Sequence, residues 1–172
     1  MVRLTSMPRL GKKAPPDALA HLADIVRELE VVSGHSLQEY RDGLYVRRAS
    51  ERLVQLAVDL SCELGLRVLH AAGKRMPDGY EETFHALAKE GFLPEPLAEK
   101  MAVAASLRRQ IVAPSLPGPE GTAVPGAPRL DPDEDMHRRL PFLAVLMREY
   151  GRRIEDILAH PKALARVIAG EA

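Results

Sequence analysis

Apolar residues recur every three or four positions along most of this chain, and nowhere does the apolar–polar alternation of a half-buried strand appear. A chain patterned in this way folds as helices packed on helices. Leu19, Leu22, Val26, Leu29 and Val32 mark the first amphipathic stretch, with Asp17 placed to cap its start and Ser33-Gly34 to stop it. A short piece from Ser36 to Tyr40 follows. Val46, Ala49, Leu53, Leu56, Leu60 and Leu64 then trace a stripe along a longer helix that ends near Gly73. The turn Met76-Pro77-Asp78-Gly79 leads into a short helix from Tyr80 to Lys89, with Phe84 and Leu87 facing inward and Gly91 closing it. After Pro94 and Pro96 the pattern predicts a helix from about Leu97 to Val112, with Leu97, Met101, Ala104 and Ile111 inward, and Pro114 prevents it from continuing.

The segment 113–132 holds six of the fourteen prolines and three glycines, so it reads as a loop rather than as a helix or a strand. Beyond it, Leu140, Leu143, Met147, Tyr150, Ile154 and Ile157 form the seam of another long helix, whose N-terminal end is favoured electrostatically by Asp133, Glu134 and Asp135. A last short helix is expected after Pro161. The fold class read from this pattern is all-α: an antiparallel four-helix bundle with additional short helices.

Length and charge narrow the functions. A chain of 172 residues, 46% hydrophobic, is one domain with one core. Its 24 Lys and Arg balance 24 Asp and Glu, so any contact with nucleic acid has to be local. The single cysteine, Cys62, leaves no disulfide framework and no cysteine-based zinc site, and its mid-helix position suits a small buried hydrophobe. No leader-like apolar stretch opens the chain and no run of eighteen apolar residues occurs, so a cytoplasmic protein with no membrane contact is the expectation. The basic arm with Arg3, Arg9, Lys12 and Lys13 is read as a solvated tail.

Most familiar chemistries find no motif. Glycine fingerprints for dinucleotides or nucleoside triphosphates are absent, as is GxSxG, so no cofactor is expected. His21, His35, His70, His85, His137 and His160 never stand four apart on one helix, and no metal is expected. Asp59 and Glu63 lie one turn apart, a spacing that suits a cation, yet without a second acidic pair an ion-paired face is the better reading.

Read in order, several segments carry a resemblance. Arg48-Ala49-Ser50-Glu51-Arg52-Leu53, Asp59, Pro77-Asp78-Gly79-Tyr80-Glu81-Glu82-Thr83-Phe84, Leu87-Ala88-Lys89-Glu90-Gly91-Phe92-Leu93 and Leu107-Arg108-Arg109-Gln110-Ile111-Val112 together resemble the HepT-like branch of the HEPN superfamily. The resemblance covers roughly residues 18 to 160. It divides the chain into an N-terminal basic arm (1–16), a HepT-like bundle (17–160) and a C-terminal tail (161–172). It implies small helical homodimers, many of them ribonuclease toxins encoded beside a nucleotidyltransferase antitoxin of the MntA type.

The family's chemistry, by the same resemblance, lies in an Arg-x4-His-x-Tyr motif at the end of the fourth helix, with two copies facing across the dimer. Metal-free RNA cleavage needs a base, an acid and positive charge at the phosphorus, which histidine and arginine supply. Here the motif arginine falls on Arg108, the histidine position on Ala113 and the tyrosine position, which the antitoxin modifies with AMP, on Ser115. Alanine exchanges no proton. The resemblance therefore implies a protein impaired as a ribonuclease that binds a nucleotidyltransferase partner or RNA. Two alternatives stand beside it: an active ribonuclease that borrows His137, and an accessory subunit with no toxin role. Arg109 beside Arg108, with Asp59 across the bundle to orient it, completes the candidate cleft; the two arginines read equally well as ion pairs with Glu or Asp of a neighbouring helix. Leu107 and the Leu140 to Ile157 seam are the apolar candidates for a dimer contact, and packing within the chain explains them equally well.

Overall fold

The computed structural model describes residues 18–113 and 131–159. Six helices fill these residues and no strand occurs among them: α1 (Ala18–Ser33), α2 (Leu37–Asp42), α3 (Leu44–Ala71), α4 (Tyr80–Lys89), α5 (Glu95–Val112) and α6 (Pro132–Ala159). The architecture is the all-α one that periodicity predicts. The basic arm, Asp17, Ser115 with most of the proline-rich segment, His160 and the tail after Pro161 lie outside the described residues.

Local chemistry sets the ends of the elements. Ser36 caps α2 in a reciprocal box: its hydroxyl accepts from the Glu39 amide, while the Glu39 carboxylate accepts from the Ser36 amide at 2.7 Å. Both long-range turns close on glycine in the left-handed region. At Gly73 (φ 67°) the Lys74 amide reaches back to the Leu69 carbonyl at 2.9 Å, and at Gly91 (φ 78°) the Phe92 amide reaches the Leu87 carbonyl at 2.8 Å. α5 begins two residues earlier than the apolar pattern suggests. Pro96 sits in its first turn, where an amide would have no partner in any case. Pro132 likewise opens α6 instead of ending the loop.

The centre of the bundle is α3, which touches every other described helix. That placement revises the expected stripe. Ala49 faces solvent and Leu56 and Leu60 are only half-buried, whereas Val54, Ala57, Val58, Ser61, Cys62, Gly65, Leu66, Val68 and Leu69 are enclosed on several sides. α6 runs alongside α3 in the same direction, from the Arg47–Asp133 ion pair (2.9 Å) to the Tyr150 hydroxyl, which donates to the Ser61 carbonyl at 2.7 Å. α1 returns along α6, from Leu22 beside Gly151 to the His35 carbonyl beside His137. Tyr150 also meets the edge of Phe84 with ring centres 5.7 Å apart, which ties α6 to α4 through the core. Leu107 is 8% exposed, at the groove between α5 and α6, so packing within the chain accounts for it. No described helix is long and apolar enough to cross a membrane.

Candidate functional site

Three helices deliver one polar cluster. α3 contributes Asp59 from its middle, α4 contributes Tyr80 from its first residue, and the last turn of α5 contributes Arg108. Arg108 Nε donates to Asp59 Oδ1 at 2.9 Å, and the guanidinium carbon lies 4.6 Å from the centre of the Tyr80 ring. The Tyr80 hydroxyl donates to the same Asp59 carboxylate. Asp59 thus gathers a cation and a phenol on one anion. Partial burial, the Asp59 charge and that hydrogen bond push the Tyr80 hydroxyl up to about 12, against the opposing pull of Arg108. Tyr80 is a neutral donor at every physiological pH.

The rest of the cluster is structural in its chemistry. Cys62, one turn beyond Asp59, is fully buried and contacts the Thr83 hydroxyl at 3.6 Å. Burial, aided by the Asp59 charge, pushes its thiol up to about 11, so it is no nucleophile at neutral pH. Glu63 turns away from Asp59 to pair with Arg67 on its own helix. The two carboxylates therefore serve different cations, and no group of three or more metal-ligating side chains occurs among the described residues. Arg109 points aside from Arg108: it pairs with Glu81 of α4 at 2.9 Å and donates to the Ser106 hydroxyl at 3.1 Å.

The expected site residues fall in two places. Asp59, Arg108 and Arg109 share the corner of α3, α4 and α5. Ala113 caps α5 there, its amide bound to the Arg109 carbonyl at 2.9 Å, and presents only a methyl group. His137 does not join them. Its Nε2 lies 2.7 Å from the His35 carbonyl and its ring meets Tyr40 edge-on at 5.5 Å, at the end of the bundle where Arg47 pairs with Asp133. Arg47 and Asp59 are twelve residues apart on α3, which corresponds to about 18 Å along the helix. Within one protomer His137 cannot relay protons for Arg108.

Sequence reasoning quoted Tyr80 within a segment but gave it no role. No spacing in the sequence signals that role, because it comes from the contact of the start of α4 with the Arg108 guanidinium.

Residues 20–113, more than half of the 172-residue chain, match the family model described as Ribonuclease HepT-like. The match runs from α1 to the cap of α5 and contains Asp59, Tyr80 and Arg108. No curated protein matches the chain. With six helices as its described fold and that match over most of them, the chain belongs to the HepT-like ribonuclease family.

Proposed function

We propose that this protein is a HepT-like homodimer impaired as a ribonuclease, and that it works by binding, with a nucleotidyltransferase antitoxin of the MntA type as its foremost partner and RNA as the second. The observation that carries this reading is Arg108, still held by Asp59 and Tyr80, standing five residues before an alanine. A fixed guanidinium stabilises charge on a phosphate, but the position from which the family's imidazole would take the 2′-hydroxyl proton holds only a methyl group. General acid–base groups contribute about 10²–10⁴-fold, so their loss leaves little cleavage by this route. The arrangement of charge favours the protein partner over RNA. Arg108 and Arg109 are each neutralised by a carboxylate, Asp59 and Glu81, and the pair therefore presents little net charge to a phosphate backbone.

A ribonuclease that borrows His137 is disfavoured by that residue's attachment to the His35 carbonyl. Incubating the purified protein with total tRNA and with mRNA tests the proposal. Products no more abundant than in a protein-free control are expected. Robust cleavage that vanishes in Arg108→Ala would overturn it.

A further inference from the structure

α6 carries a proline inside it, at Pro141. A proline has no amide to donate, so the His137 carbonyl one turn earlier loses its helical partner and the backbone ladder is interrupted there. The break sets the start of the helix apart. Residues 132–140 hold Met136 and Leu140 as their large apolar side chains and are otherwise mostly charged, and a stretch of this length is not helical on its own in water. What keeps it helical is the surface of α2 and α3 on which it lies.

Much of that hold is charge. Arg41 Nη2 of α2 reaches Asp131 at 3.1 Å and Glu134 at 3.5 Å, and Arg47 Nη1 of α3 reaches Asp133 at 2.9 Å. The five side chains keep between 24% and 48% of their surface in water, so each pair is weak and is screened by salt. Arg41 adds a cost of its own. Its Nε is buried and has no hydrogen-bond partner among the described residues, a donor that separation of the helices would return to water. The remaining ties are the His137 ring on the His35 carbonyl and Tyr40, and the Leu140 side chain in the core. Weak ties on one side and an interrupted ladder on the other are what lets part of a fold open while the rest stays closed.

We propose that residues 131–140 open from the bundle as one unit, hinged at Pro141 and held shut by an electrostatic clasp in which Arg41 and Arg47 grip Asp131, Asp133 and Glu134. Opening bares Tyr40, 1% exposed, and Leu140, fully buried, so the start of α6 is a salt-sensitive cover over an apolar face. Amide-resolved hydrogen exchange of the full chain reads the outcome. The amides of 135–140 are expected to share one exchange level, about 100-fold faster than that of 147–154 after correction for sequence, with the step at Pro141. Raising sodium chloride from about 0.05 to 0.5 M should speed the first group about threefold and leave the second unchanged. Arg47→Gln, a change on α3 that leaves the composition of α6 intact, should also speed the first group about threefold. Pro141→Ala, at an exposed position, restores the missing amide and should slow the first group at least about tenfold, which shrinks the step. Protection that climbs residue by residue from 135 to 140 is ordinary fraying of a helix end and overturns the single unit. Exchange indifferent to salt and to Arg47→Gln overturns the clasp, and a step undiminished in Pro141→Ala overturns the hinge.

Discussion

Arg108 and Asp59, forty-nine residues apart in sequence, meet with Nε and Oδ1 2.9 Å apart, and the Tyr80 ring lies against the guanidinium. One edge of the arginine is occupied by a carboxylate and one face by an aromatic ring. The side chain that a HepT-like enzyme would aim at a phosphate is therefore already oriented in this chain, and α5 ends beside it on a residue that cannot move a proton.

The cluster predicts an order of destabilisation. Asp59→Ala strands two donors, Arg108 and the Tyr80 hydroxyl, in a partly buried corner, whereas Arg108→Ala leaves Asp59 still accepting from Tyr80. Asp59→Ala is expected to lower the unfolding free energy by about 2 kcal/mol, and Arg108→Ala by about half as much. Urea denaturation of the two variants reads the order; an equal or reversed cost would show that Asp59 is not the hub.

Alkaline titration has a definite sign. Tyr40 and Tyr80 are pushed up to about 12, chiefly by burial, and the fully buried Tyr150 lies well above its ordinary value. Because the fold favours the protonated phenols, the stability they contribute is complete below the ordinary tyrosine value of 10 and is lost as pH rises through about 12. Ultraviolet titration of the phenolate band should show a late component near pH 12 that shrinks in Tyr80→Phe.

Gly65 sits on α3 against both α4 and α6. A β-carbon there would lie 2.7 Å from Leu87 Cδ1 and 2.9 Å from the Tyr150 hydroxyl oxygen, which is already committed to the Ser61 carbonyl. Gly65→Ala should gain about 1 kcal/mol of helix propensity and lose about 1–3 kcal/mol to crowding, for a net destabilisation. A raised melting temperature would contradict that balance.

Within one protomer His137 packs between the His35 carbonyl and Tyr40, away from Arg108. His137→Ala removes the contact with the His35 carbonyl and the edge-on packing on Tyr40, which should cost about 1–2 kcal/mol. RNA cleavage, whatever its level, should be the same in this variant as in the wild type. A selective loss of cleavage in a folded His137→Ala protein would reinstate the displaced-histidine reading.

Much of the fold was legible because the relevant signals are local. Gly73 and Gly91 stop helices by backbone conformation alone, and the Leu140 to Ile157 row faces the core along α6, as its period requires. What periodicity cannot reveal is which helix ends up in the middle. α3 is enclosed by neighbours on several sides, so Ser50 and Ser61 are buried while Ala49 is not, and a one-sided stripe misassigns them. For Leu107, 8% exposed, packing within the chain, one of the two readings its periodicity allowed, is the one the fold realises. Asp59 and Arg108 were recognisable as partners from the family pattern. Tyr80 was not, because its role comes from a tertiary contact that no spacing rule encodes.

The most direct measurement is the single-turnover rate of tRNA cleavage by the wild-type chain, set beside Arg108→Ala and Ala113→His under identical conditions. The account predicts a wild-type rate indistinguishable from that of Arg108→Ala, and a rate at least about 10²-fold higher once an imidazole is restored at position 113. Wild-type cleavage as fast as that of Ala113→His, and abolished by Arg108→Ala, would contradict it.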